Sequence, residues 1–194
     1  MLSAFLILAL VSVPLFGGDL RRLADVEVRY MVLLLAALVL QILVIEVVPG
    51  APAWIASAAH LGSYLLAGAF LYVNRHIPAL WLIGLGGAAN FAAIAANGGY
   101  MPASVSALRV AGLPLKSGAE GFVNSVALAH PRLLFLGDVL AIPQSWPLSN
   151  VFSVGDVCIA LGGAIALHRI CGSRLAESIN RNRRARKSTQ LGKG

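Results

Sequence analysis

The chain has 194 residues, 58% of them hydrophobic and 12% charged, with a formal net charge of +7 and a mean hydropathy of +0.81. A soluble domain carries about 25% charged residues, so this composition excludes an ordinary water-soluble domain and points to lipid as the solvent for most of the chain. The positive charge is no sign of nucleic acid either. Seven of the fifteen Lys and Arg fall in residues 174–194, and no aromatic residue interleaves them to stack on bases.

Five apolar stretches approach the roughly 20 residues a spanning helix needs. The first, Met1–Phe16, has no Lys or Arg before it and no small-x-small cleavage site, so it reads as an uncleaved span rather than a signal peptide. Tyr30–Val48 follows; its Glu46 can snorkel to the interface or join a polar site. Ala53–Val73 and Ala79–Ala96 are the third and fourth, and Val151–Ile170 the fifth. The fourth carries "GLGGAANFAAIAANGG", nearly all small residues, which marks it as the central, most contacted helix, because close backbone approach is how helices associate in lipid. Gly155, Gly162, Gly163 and Ala166 give the fifth the same character.

Basic residues orient the bundle. With the N-terminus outside, the inner side holds Arg21, Arg22, Arg29, Arg75, Arg169 and the seven of the tail, twelve in all, against Arg109, Lys116 and Arg132 outside. Tyr30, Tyr72 and Trp81 then fall at inner helix ends and Trp54, Tyr100 and Trp146 at or near outer ones, as an interfacial belt requires. Only Tyr64, of the Tyr and Trp residues, sits mid-span. The expected fold is an all-α membrane protein of about five transmembrane helices, N-out and C-in. A single transmembrane domain covers residues 1–173 and a basic cytoplasmic tail residues 174–194.

Residues 97–150 form the one long connection, and its apolar character argues for an ordered external cap of short helices. "SVSALRVAGLP" reads as a short helix stopped by Gly112 and Pro114. "EGFVNSVALAH", with Glu120 at its start, and "PRLLFLGDVLAIP" are too short to span. They lie in the interface or re-enter.

Polar residues in this setting are candidates for a site. Gly-Asp-Val occurs twice, with Asp138 and Asp156 eighteen positions apart. Ser153 stands three before Asp156 at the head of the fifth span, the pattern of a capping box. Asp138 has no such cap, and an aspartate among Leu, Val and Ile calls for a raised pKa or a partner, Arg132 and Arg109 being the candidates. "NGGYMP", residues 97–102, reads either as a helix terminator or as a loop whose glycines bare backbone groups to a ligand. Asn90 lies two turns before Asn97 on the same helix face. The expected lining of a pocket under the cap is Asn90, Asn97, Gly98 and Gly99 as ligand-binding residues, with Asp138 and Asp156. If the two aspartates face each other, they form an acid–base pair able to activate a water.

Other chemistry finds no support. Cys158 and Cys171 point to opposite faces of one helix and read as free thiols. His60 and His168 lie at different depths, unlike paired haem ligands. No Cys/His spacing fits zinc, and no phosphate-binding motif is present. Neither a metal nor another cofactor is expected.

"NGGYMP", "LGDV…IP" and "SVGD" resemble the NGGxMP and SxGD signatures of a family of uncharacterised bacterial membrane proteins of similar length, a resemblance that implies a multi-pass cell-membrane location and no established activity. "WPLSNVFSVGDVCIALGG" locally resembles the last helix of lipoprotein signal peptidases, in which an aspartate pairs with an earlier one at the outer membrane face. That resemblance implies catalytic roles for Asp156 and Asp138. Gly155 stands where those enzymes have alanine, and the Asn and Arg that flank their earlier aspartate are missing around Asp138. The sequence thus leaves two functions open: binding of a lipid-like ligand or a membrane-protein partner at the outer face, or an aspartate-dyad peptidase acting on a membrane-embedded peptide.

Overall fold

The computed structural model describes residues 2–43, 52–115 and 125–177; Glu46, Glu120 and most of the basic tail lie outside them. Five long helices dominate: α1 (Leu2–Leu15), α2 (Met31–Ile42), α3 (Ala53–Val73), α4 (Leu80–Ala96) and α6 (Val154–Ile170). A seven-residue helix, α5 (Val105–Ala111), belongs to the cap. The long helices carry no Asp, Glu, Lys or Arg except Asp156 and Arg169. Each leaves a leucine exposed on its outer side: Leu8, Leu35, Leu65, Leu85 and Leu161.

The expectation of five full-length spans is revised. Among the described residues one stretch, Trp54–Val73 in α3, is long and apolar enough to cross a membrane, while Ala4–Leu15, Met31–Ile42 and Leu80–Ala96 are apolar but shorter. The cause is local. Helix α1 gives way to Gly17, in the left-handed region at φ 73°. Helix α4 ends in a glycine-based stop at Gly98, and α6 runs only 17 residues, about 25 Å at 1.5 Å per residue.

The helices pack as a layer in the order α2, α3, α4, α6, α1, with α4 against α6 the most extensive contact. The small residues explain that contact. A Cβ on Gly86 would strike the carbonyl of Gly155, and a Cβ on Gly162 would come within 2.7 Å of the Ile83 side chain. The backbones therefore approach more closely than any larger residue permits. At the other end of α6, His168 bridges Ser173 (Nδ1, 2.7 Å) and Ser12 of α1 (Nε2, 3.0 Å), which fixes α1 on the bundle.

The cap is not built of short helices alone. Met101–Pro102 (β1) pairs in parallel with Ser125–Val126 (β2), and Ala103 bridges in parallel to Asp138. Leu140–Ile142 (β3) pairs antiparallel with Asn150–Phe152 (β4). Helix α5 stops at Gly112 (φ 67°) as its sequence predicts. It closes a small core in which Ala103, Ala107, Leu108, Ala111 and Val151 are buried. A second cluster, Ala93, Ile94 and Met101 with Leu61, Tyr64 and Leu136 against them, joins the cap to α3 and α4.

Candidate functional site

Each Gly-Asp pair solves the same steric problem. A Cβ on Gly137 would collide with the Pro102 carbonyl, so glycine lets β1 run beside Asp138 and exchange backbone bonds with it (Asp138 N–H to Pro102 O, 2.9 Å; Ser104 N–H to Asp138 O, 3.0 Å). A Cβ on Gly155 would occupy the place of the Asn90 side-chain oxygen. Alanine, the residue of the signal-peptidase motif, cannot stand there while Asn90 does.

Asp156 sits in a complete capping box. Its N–H donates to Ser153 Oγ (2.9 Å), and its Oδ2 accepts from the Ser153 N–H (3.0 Å). Asn90 ties α4 to this cap: its Nδ2 donates to Asp156 Oδ1 (3.0 Å) and its Oδ1 accepts from Ser153 Oγ (2.7 Å). Ser153 and Asn90 are both buried, and every polar atom just named has a partner, as buried polar groups require. The cap reading and the site reading of Asp156 are thus one arrangement.

Asp138 is 4% exposed. Its partner is Ser125, whose hydroxyl donates to Oδ2 at 2.5 Å, and not Arg132 or Arg109. Among the described residues the ion pair is Arg29 with Glu27. Burial pushes the carboxyl up to about 6; the Ser125 bond opposes the rise and the charge of Asp156 adds to it.

Both aspartates line one cavity of about 680 Å³, within the range of about 300–1,000 Å³ typical of small-molecule sites. Toward the cap its polar groups gather, Asp138, Ser125, Asn150, Asp156 and Asn90, with the apolar Met101 and Val151 among them. Along the helices Leu34, Leu38, Ala67 and Ile159 make it apolar, with Ser63, Tyr64 and Gln41 as scattered polar groups. Leu34 to Gln41 alone is seven residues of α2, about 10 Å of depth. Helices α2 and α6 both border the cavity, and among the described residues they are not an extensively packed pair.

The structure brings together Asn90, Asp138 and Asp156. It places Asn97, Gly98 and Gly99 outside the lining of this cavity. They terminate α4 in a Schellman turn, with Gly99 N–H to Ile94 O at 2.9 Å. Asn97 Nδ2 donates to the carbonyls of Ala93 and Arg132, and its Oδ1 accepts from the Arg132 N–H at 2.8 Å. Ser57 of α3 donates to the Gly98 carbonyl at 2.7 Å. The motif buttons the cap to the bundle. Gly99 has φ +99°, and a Cβ there would overlap Ser57; Gly99→Ala is expected to lower stability by about 1–3 kcal/mol, read as thermal unfolding of the purified protein.

Sequence reasoning missed Ser63, Tyr64, Gln41, Ser125 and Asn150 as lining. The signal was present for three of them, since Gln41, Ser63 and Tyr64 are polar groups inside apolar spans, where such groups are functional candidates. Among the described residues no group of three or more His, Cys, Asp or Glu is placed to hold a metal ion. In comparisons with known proteins, the family of unknown function DUF5317 matches residues 25–168. No curated protein and no solved structure matches.

Proposed function

The chain belongs to the DUF5317 family of unknown function, and for it we propose a multi-pass cell-membrane protein, N-out and C-in, that binds a single-chain amphiphile under its external cap. The observation that carries this reading is the cavity, with polar groups beneath the cap and apolar ones between the helices; α2 and α6 both border it without extensive contact among the described residues, and this reading puts a lateral opening between them. An amphiphile has the same polarity profile and reaches such an opening by lateral diffusion.

The membrane setting draws on three features. The exposed leucines give every long helix an apolar outer face, which water disfavours and lipid does not. On α3 the exposed rings of Trp54 and Tyr72 stand eighteen residues apart, about 27 Å along the axis, close to the roughly 30 Å of a hydrocarbon core. The basic tail would face anionic headgroups on the inner side. A partner membrane protein on the outer apolar faces is compatible with this arrangement.

The test fills the cavity. Ala37 and Ala67 line it, and Ala37→Trp or Ala67→Trp is expected to weaken binding of dodecanol by at least about ten-fold, because the indole takes the volume of the chain. The protein is reconstituted in phosphatidylcholine nanodiscs, and bound probe is quantified by mass spectrometry after gel filtration. Folded variants that both retain wild-type binding overturn the proposal.

A second reading, the aspartate-dyad peptidase, is favoured by the shared cavity and by the raised pKa of Asp138. In it, Asp156 takes a proton from water as the water attacks the scissile carbonyl, and protonated Asp138 donates to the departing amine nitrogen. It ranks second because both Asp156 oxygens already accept N–H donors from Ser153 and Asn90. New termini on single-span peptides, lost on Asp138→Asn, would reverse the ranking.

A further inference from the structure

We infer that the polar end of the cavity selects a cationic headgroup, an amphiphile whose protonated primary amine is held by Asp138 and Asp156. This deepens the amphiphile reading and rests on it. Among the described residues the lining contains two carboxylates and no Lys, Arg or His. A phosphate or carboxylate head placed there meets like charge on both sides with no cation to offset it. A neutral hydroxyl can hydrogen-bond but leaves the Asp138 carboxylate in its desolvated place without an opposite charge, the situation buried acids avoid by holding their proton.

An ammonium supplies what the site lacks. It brings one positive charge and three N–H donors to a wall rich in acceptors. Asp138 is the foremost of these: its side chain is buried and borders the cavity, and the side chain that bonds it is the neutral hydroxyl of Ser125, on Oδ2. The Oδ1 atoms of Asn150 and Asp156 already accept one bond each, but a carbonyl or carboxylate oxygen can accept a second. The carbonyl of Gln41 completes the acceptor set along α2. The apolar helix walls then hold the alkyl chain, so the amine alone is not the ligand.

The same arrangement makes binding depend on pH. Among the described residues the titratable groups that face the cavity are Asp138, Asp156 and Tyr64. Asp138, pushed up to about 6, must give up its proton to pair with the ammonium. Affinity for an amine therefore rises as pH increases through about 6, by roughly ten-fold between pH 5 and pH 7.

The experiment compares dodecylammonium, dodecanol, dodecyl phosphate and butylammonium on the full chain in phosphatidylcholine nanodiscs, with empty nanodiscs as the partition control. Binding is read as retained probe and as the rise in Tm. Dodecylammonium is expected to bind at least about ten-fold more tightly than dodecanol at pH 7, with dodecyl phosphate and butylammonium weakest. Asp138→Asn is expected to abolish the preference for the amine and its pH dependence while leaving dodecanol binding in place. Equal binding of amine and alcohol, or a preference for the amine that survives Asp138→Asn, overturns the headgroup assignment and leaves the amphiphile reading standing. Butylammonium binding as tightly as dodecylammonium, or no probe binding at all, overturns the amphiphile reading and the headgroup assignment with it.

Discussion

Asp138→Asn is expected to be more stable than the wild type above pH 7, and the two are expected to converge toward pH 4. The reasoning is linkage. In the unfolded chain the Asp138 carboxyl titrates near 3.8, and in the folded protein near 6, because burial in the cap disfavours its charged form. A raised acid pKa means that the folded state binds the proton more tightly. The stabilisation from that proton is complete below 3.8 and is lost as pH rises through about 6. A shift of this size corresponds to roughly 3 kcal/mol in full, of which about 2 kcal/mol falls between pH 4 and pH 7. Asparagine keeps the shape and the acceptor for Ser125 but has no charge to bury, so its curve lacks this component. The measurement is Tm against pH for the two proteins side by side, since the other carboxylates titrate in both. Parallel curves would place Asp138 in water. Ser125→Ala sharpens the test: it removes the one hydrogen bond that favours the ionised form, so the midpoint of the wild-type decline should move to higher pH.

That buried aspartate illustrates which parts of the molecule can be read from the chain. Features set by neighbours in sequence were legible. The stop of α5 at Gly112, the Ser153–Asp156 capping box and the small-residue contact of α4 with α6 each follow from residues within a turn or two of one another, where propensity and capping chemistry decide the outcome. The terminator reading of "NGGYMP" belongs here too, because a Schellman turn needs only the local glycines.

Features that depend on distant partners were not legible. Asn97 reaches Arg132 thirty-five residues away, and nothing at either position announces the other. Ser125 meets Asp138 because β1 lies between β2 and the Gly137–Asp138 backbone, and strands of two residues leave no alternating pattern to detect. Arginine was the natural expectation for Asp138 because charge attracts charge; the fold instead supplied a hydroxyl, and burial makes the carboxyl bind its proton more tightly than an exposed one does. The helix bounds lie close to the apolar runs, α4 at Leu80–Ala96 against Ala79–Ala96. What is revised is the step from run to full span, since the runs that Gly17 and Gly98 close are shorter than the roughly 20 residues a crossing needs. The two Gly-Asp-Val segments were visible as a repeat. Their shared purpose, room for a crossing backbone or side chain, appears only in three dimensions.

The cluster of Asn90, Ser153, Gly155 and Asp156 yields the second large effect, and a non-additive one. Asn90→Ala removes two hydrogen bonds between α4 and the head of α6 and leaves a half-buried carboxylate oxygen and a buried hydroxyl each short of a partner, at about 1–3 kcal/mol per group, or about 2–6 kcal/mol together. Gly155→Ala drives a methyl into the Asn90 side chain and against the Gly86 carbonyl, and overpacking of this kind costs about 1–3 kcal/mol. In the double variant the methyl added at position 155 enters the space that the shortened residue 90 has vacated, so the steric part of the second cost falls away and only the approach to Gly86 remains. The double variant is expected to lose about 1–2 kcal/mol less than the sum of the singles, a coupling well above the roughly 0.5 kcal/mol within which independent sites add. Thermal or denaturant unfolding of the four proteins of the cycle measures it. Simple additivity would mean that Asn90 does not occupy the space beside Gly155, and the tie between α4 and the Asp156 cap, on which the shape of the cavity depends, would be lost with it.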